Sequence, residues 1–138
     1  MTSGEMPIDV LSELLGDRMY SVEFVVNDYV QFRFDGQTGT NHPVVLNSYV
    51  WPSIEALGRT WHETDLGYAD AIRQLAPGVV QSAVEATGTG IRIELDTGVI
   101  VIHPLLEEVF VEIAELMGLR SGAWVVWRPG EESFEDLV

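Results

Sequence analysis

Residues 30–35 read VQFRFD, and residues 91–96 read IRIELD. Both alternate apolar and polar side chains with a period of two, the pattern of a strand with one face in a core and the other in water. Working outward, each stretch has the same surroundings. Upstream lies a second apolar run, residues 19–26 (MYSVEFVV) or 79–86, joined to the quoted stretch by a short turn at Asn27-Asp28 or at residues 87–90 (TGTG). Such turns close hairpins. Further upstream, residues 7–15 (PIDVLSELL) place Ile8, Leu11 and Leu15 at helical spacing, with Pro7 in the first turn and Gly16 as a stop. Residues 65–76 (DLGYADAIRQLA) place Tyr68, Ile72 and Leu75 on one face, with Asp65 as the N-cap and Pro77-Gly78 as the stop. These spacings predict two short helices.

At a constant offset of 61 the two halves align without a gap. Asp9 meets Asp70, Leu11 meets Ile72, Leu14 meets Leu75, Ser21 meets Ser82 and Asp35 meets Asp96. His42-Pro43 also meets His103-Pro104, although the loops before them differ. We read one unit used twice, each helix covering a face of its own hairpin.

Residues 44–51 (VVLNSYVW) and 99–103 (VIVIH) supply a third strand to each half. Residues 53–64 read as a loop with a strand at 59–61. Residues 105–117 (LLEEVFVEIAELM) put Leu106, Val109, Phe110, Ile113 and Met117 on one stripe between Pro104 and Gly118, and so read as a third helix. Their rival reading is a strand, because the run is β-branched and partly alternates. A strand at 123–128 (AWVVWR) and an acidic tail at 129–138 complete the chain. The expected fold class is α+β, a single domain over residues 1–138. Its sheet is mainly antiparallel, built from two helix–hairpin–strand repeats (about 7–51 and 68–103) plus a C-terminal helix and strand.

Charge bounds the function. Twenty-two acidic residues stand against seven basic ones, all arginine, for a formal net charge of −15. Such a chain repels nucleic acid and anionic membrane and attracts basic partners. Solubility alone is the plain alternative. With no cysteine there are no disulfides, thiolate zinc sites or thiol nucleophiles, which fits a reducing, cytoplasmic location. No apolar run is long enough for a membrane helix, and the first residues lack the basic and apolar regions of a secretory signal, so neither is expected.

Catalytic motifs are sparse. His42, His62 and His103 stand outside common metal-ligand spacings, so no metal or cofactor is expected. Gly88-Thr89-Gly90 lacks the other glycines and the lysine of a phosphate loop and reads as a hairpin turn. No serine stands in a nucleophile elbow, and nothing selects a catalytic pair among the carboxylates. The richest cluster is Trp61, His62, Glu63, Asp65 and Tyr68, where an imidazole with neighbouring carboxylates would serve as a base or a ligand contact. The competing reading is a loop leading to a helix cap.

Acidic residues concentrate late. On the expected third helix Glu108, Glu112 and Glu115 share the side opposite the apolar stripe, and Glu131 and Glu132 begin the tail. Trp124 and Trp127, an odd number apart in one strand, face opposite sides of the sheet. Trp127 with Arg128 would anchor a partner, unless Phe134 of the tail covers Trp127; we prefer the covered reading. With the repeat and the segment WRPGE (residues 127–131) in view, the chain resembles small uncharacterised actinobacterial proteins and the acidic immunity proteins of bacterial polymorphic-toxin systems. The likeness lies in size, charge, absence of cysteine and the duplicated helix–hairpin layout. It implies a non-enzymatic immunity or inhibitor protein that occludes a basic protein, such as a toxin. It carries no site residues over; the candidate contacts, read from charge and aromatic placement, are Glu108, Glu112, Glu115, Trp127, Arg128, Glu131 and Glu132. The alternatives are a small enzyme or ligand-binding domain at Trp61–Tyr68, and a structural homodimerisation module.

Overall fold

The structure, a computed structural model, describes residues 9–25, 28–37 and 42–137. In chain order its elements are β1 (Met19–Val25), β2 (Tyr29–Phe34), β3 (Val44–Ser48), β4 (Ser53–Ala56), β5 (Arg59–Trp61), α1 (Tyr68–Arg73), β6 (Val80–Ala86), β7 (Gly90–Leu95), β8 (Gly98–Ile102), β9 (Ala114–Met117) and β10 (Val125–Trp127). Two five-stranded antiparallel sheets result, with strand orders β1-β2-β3-β9-β10 and β5-β4-β8-β7-β6. Alternation builds them. In β7 Ile91, Ile93 and Leu95 face the core while Arg92 and Glu94 face out; in β2 Val30, Phe32 and Phe34 face in. One buried cluster takes side chains from both sheets, so the sheets share a single core.

The hairpins β1–β2 and β6–β7 are paired in the same register. Val22 lies opposite Phe32 as Ala83 lies opposite Ile93, and both carry an irregularity at the same place, between Met19 and Ser21 and between Val80 and Ser82. The third strands follow a different offset. Phe34 pairs with Val44, ten residues on, but Leu95 pairs with Gly98, three residues on. The additional seven residues of the first half therefore lie between β2 and β3, and His42-Pro43 and His103-Pro104 do not correspond.

The sheets touch where β1 and β6 begin. Arg18 and Val79, equivalent at offset 61, form an antiparallel bridge. Met19 N–H donates to Gly78 O at 2.8 Å, and Val80 N–H donates to Asp17 O at 2.8 Å, a reciprocal pair under the same offset. Asp35 and Asp96 also act alike. Each accepts through Oδ1 the N–H of the residue before the first strand (Arg18 at 3.0 Å, Val79 at 2.9 Å) and returns its own N–H to that residue's carbonyl. They tie each hairpin's open end.

The α+β expectation is overturned: the fold is mainly β, with one six-residue α-helix and a few 3-10 turns among the described residues. Periodicity located apolar positions correctly but not their backbone state. Leu11 and Leu14 are fully buried, yet they sit in a five-residue 3-10 turn, Val10–Leu14; Pro7 and Ile8 lie outside the described residues. One turn of apolar spacing meets the helical pattern without the length needed to propagate a helix. At α1 the N-cap is Gly67, at φ 96°, while the Asp65 carboxylate takes the His62 N–H instead.

Residues 105–117 show the largest departure. They form a 3-10 turn, Leu106–Glu108, followed by the strand β9. The expected stripe is not buried as a unit: Phe110 is 91% exposed while Ile113, Ala114 and Leu116 are buried. Strand β9 fills the position between β3 and β10. Residues 53–61, read mostly as loop, form the β4–β5 hairpin. At 129–137 Phe134 is fully buried beside the second sheet; Trp127 Nε1–H and Ser133 Oγ–H both donate to Glu85 Oε1, at 2.9 and 2.7 Å.

Candidate functional site

Where β1, β2 and β3 end, three segments border a groove of about 510 Å³: Val25 and Tyr29 from the first hairpin, Tyr49 and Trp51 after β3, and Glu108 with Phe110 before β9. The chain is held there by its backbone. Tyr49 N–H donates to Ile113 O at 2.9 Å, and Ile113 N–H donates to Trp127 O at 2.8 Å, so residues after β3 and before β9 move as part of the sheet. Glu108 Oε1 accepts the Leu105 N–H at 2.6 Å, which folds its carboxylate back over the 3-10 turn.

Aromatic rings pave this end of the sheet. Tyr29 and Tyr49 meet edge to face with centroids 5.8 Å apart. Trp51 touches Phe24 at 6.3 Å on one side and Tyr68 at 6.1 Å on the other. Carboxylates stand among them. Glu115 accepts Tyr49 Oη–H at 2.8 Å and Trp124 Nε1–H at 2.7 Å. Burial, and then the Glu115 carboxylate it serves, push the Tyr49 phenol up to about 12. Phe110, Val111, Trp51 and Trp124 keep between 50% and 91% of their surface exposed, on a molecule whose remaining large apolar side chains mostly lie inside. Exposed rings beside unneutralised carboxylates suit a guanidinium or ammonium group flanked by apolar surface.

The residues expected to bind a partner are only partly gathered here. Glu108 borders the groove. Glu112 is 3.9 Å from Arg128, which is 4.0 Å from Glu131, so these three form one surface chain. Glu132 opens the 3-10 turn Glu132–Phe134. Since no helix carries them, Glu108, Glu112 and Glu115 do not form a helical stripe. Trp127 is 2% exposed and lies in the core; Trp124 is the exposed tryptophan of that strand's vicinity. Phe110, Tyr29, Tyr49 and Trp51 were missed. Tyr29 opens β2, Tyr49 and Trp51 follow β3, and Phe110 lies between the 3-10 turn and β9, so no single sequence signal joins them.

The cluster Trp61, His62, Glu63, Asp65 and Tyr68 forms a corner between β5 and α1. Asp65 Oδ2 accepts the His62 N–H at 2.8 Å and pairs with Arg59 at 3.3 Å, and Arg59 stacks 4.1 Å over the Trp61 ring. Trp61 Nε1–H donates to Ala56 O, and Tyr68 Oη–H to Pro52 O. Burial raises the Tyr68 phenol, with Glu63 adding to the shift. His62 and Glu63 are exposed. Trp61, Asp65 and Tyr68 thus spend their polar groups within the corner, while the Glu63 carboxylate points to solvent. Among the described residues no group of three or more His, Asp or Glu is placed to hold a metal, and no helix is long and apolar enough to cross a membrane.

The chain matches no family model, no curated protein and no solved structure.

Proposed function

We propose that this is a protein-binding module whose aromatic groove at the ends of β1–β3 receives a basic protein, in the manner of an immunity or inhibitor protein. The observation that supports it is Phe110, 91% exposed at the mouth of the groove with Glu108 beside it. An exposed ring leaves apolar surface in water, and covering it with a partner is favourable. A cationic side chain of the partner enters among Tyr29, Trp51 and Phe110, drawn by Glu108 and Asp28. The net charge of −15 raises the encounter rate, and the rings hold the complex.

The test is capture of basic proteins from a bacterial lysate at low salt by the native chain and by the double variant Glu108→Lys, Phe110→Ser. The native chain retains a defined basic protein; the variant loses it while keeping its own melting temperature. Equal capture by both chains overturns the groove as the binding site.

A further inference from the structure

After the Arg18–Val79 bridge the edges of β1 and β6 diverge, and the two halves close the resulting wedge differently. On the β6 side, the 3-10 turn Val10–Leu14 packs along the strand, and the turn Glu132–Phe134 covers it further. On the β1 side the equivalent segment is α1, which packs on β4. A groove of about 480 Å³ is left between α1 and β1, lined by Tyr20, Val22 and Phe24 of β1 and by Ala69, Ile72 and Arg73 of α1. β1 is an outer strand of its sheet, and past Met19 no backbone hydrogen bond from the α1 side reaches it among the described residues. Natural sheets blunt such edges with charges, proline, bulges or a cover; residues 21–25 (SVEFV) carry one charge, Glu23, after the irregularity at Met19–Ser21, and among the described residues no 3-10 turn packs along β1 as Val10–Leu14 packs along β6.

We infer that β1 is a strand-addition site for an extended segment of the basic partner. The segment pairs its backbone with residues 21–25 and lays alternate apolar side chains between Val22 and Ala69; the side chains between them are cationic. Three features select this occupant. An open edge beside a groove accepts an extended backbone. The groove floor is apolar, and its two charges, Asp70 and Arg73, are spent on each other at 3.1 Å. Glu23 on β1 and the net charge of −15 favour a cationic chain over a second copy of this one. The site adjoins the aromatic groove through the Phe24–Trp51 contact, so a partner held there continues along β1. This inference rests on the binding function proposed above.

The test is selection from a displayed library of short random peptides at low salt, with the full native chain as bait. The selected peptides are then measured against Ala69→Trp and against Glu108→Lys. Ala69 is exposed on α1, so the indole fills the groove without entering the core. Three results are expected together: peptides that alternate apolar and basic residues, slowed amide exchange at residues 21–25 in the complex, and binding weakened by about tenfold or more in Ala69→Trp, as expected of a blocked central contact. Peptides that bind Ala69→Trp normally but fail on Glu108→Lys would overturn strand addition and leave the aromatic groove standing. Amide protection at residues 21–25 that grows with protein concentration alone would assign the edge to a second copy, and also overturn it.

Discussion

Asp17 is the residue with the most to lose from its position. It is 1% exposed although it sits close to the surface. Its Oδ1 accepts Gln37 Nε2–H at 3.0 Å, and its Oδ2 is buried with no hydrogen-bond partner. Its equivalent at offset 61 is Gly78, where an added Cβ would lie 2.3 Å from Thr97 Oγ1. The two halves thus fill the same space from opposite strands, Asp17 above Gly36 in one and Thr97 above Gly78 in the other. Burial raises the Asp17 carboxyl above its ordinary value of 3.8, Asp35 adds to the rise, and Gln37 and Arg120 oppose it. A carboxyl raised in the folded state binds its proton more tightly there than in the unfolded chain. Its contribution to stability therefore falls as pH climbs from 3.8 to the raised value, and the full penalty persists at neutral pH. Asp17→Asn removes the buried charge, so the variant is expected to show a higher urea midpoint at neutral pH and to lose part of the pH dependence in the acid range. A variant less stable than the native chain at pH 7 would mean that Arg120 outweighs burial. Nothing in the sequence marks Asp17 among twenty-two acids, because its burial depends on Gln37 and on contacts between the halves. Trp124 and Trp127 do differ in exposure, 67% against 2%, but β10 begins at Val125, so Trp124 lies outside the strand whose alternation was to separate them.

Among the elements, those fixed by neighbouring residues were legible and those fixed by distant partners were not. The hairpins β1–β2 and β6–β7 join consecutive alternating runs, and the second turn is read directly from its glycines; Asn27 of the first lies outside the described residues. β9 is held by β3 and β10, and β3 precedes it by more than sixty residues, so its run of mixed spacing looked helical. β4 and β5 are only four and three residues long, too short for periodicity to register. Their turn is Leu57-Gly58, with φ of 55° and 79°. Two successive positive φ values make a type I′ turn, the form that matches strand twist and favours Asn-Gly. A leucine in the left-handed region costs roughly 1 kcal/mol, and Leu57 is 66% exposed, so its side chain returns little by packing. Leu57→Asn is therefore expected to raise stability by about 0.5–1 kcal/mol, read as a higher urea midpoint at unchanged slope. An unchanged or lower midpoint would show that Leu57 packs against a neighbour in solution.

At the scale of the whole molecule, the offset of 61 and the charge excess were both legible, but not how that charge is disposed. Arg59, Arg73, Arg92 and Arg128 each lie within an ion pair. Arg92 is held by Glu55 through both terminal nitrogens and by Glu94 through Nε, which raises its already high pKa further. Its equivalent, Gln31, accepts from Arg33 and donates to Asn47 instead, so this position is held by ion pairs in one sheet and by amide hydrogen bonds in the other. The arginines are thus largely spent locally, and most of the twenty-two carboxylates have no cation to answer them. Two opposed salt effects follow. Screening weakens the exposed ion pairs, each worth about 0–1 kcal/mol. It also relieves mutual repulsion among the excess carboxylates, which exists between many pairs at longer range and is strongest in the compact state. With fifteen uncompensated charges the repulsion is the larger sum. Raising sodium chloride from about 0.01 to 0.15 M shortens the screening length from roughly 30 to roughly 8 Å, below the span of the molecule but above the length of an ion pair. The expected result is a gain of about 1 kcal/mol, near 3 °C in melting temperature. Urea is the denaturant to use, because guanidinium would itself screen the charges. A midpoint that falls with salt would place the ion pairs, not the carboxylate excess, in control of the electrostatics. Long-range attraction of a basic partner would lose its physical ground with it.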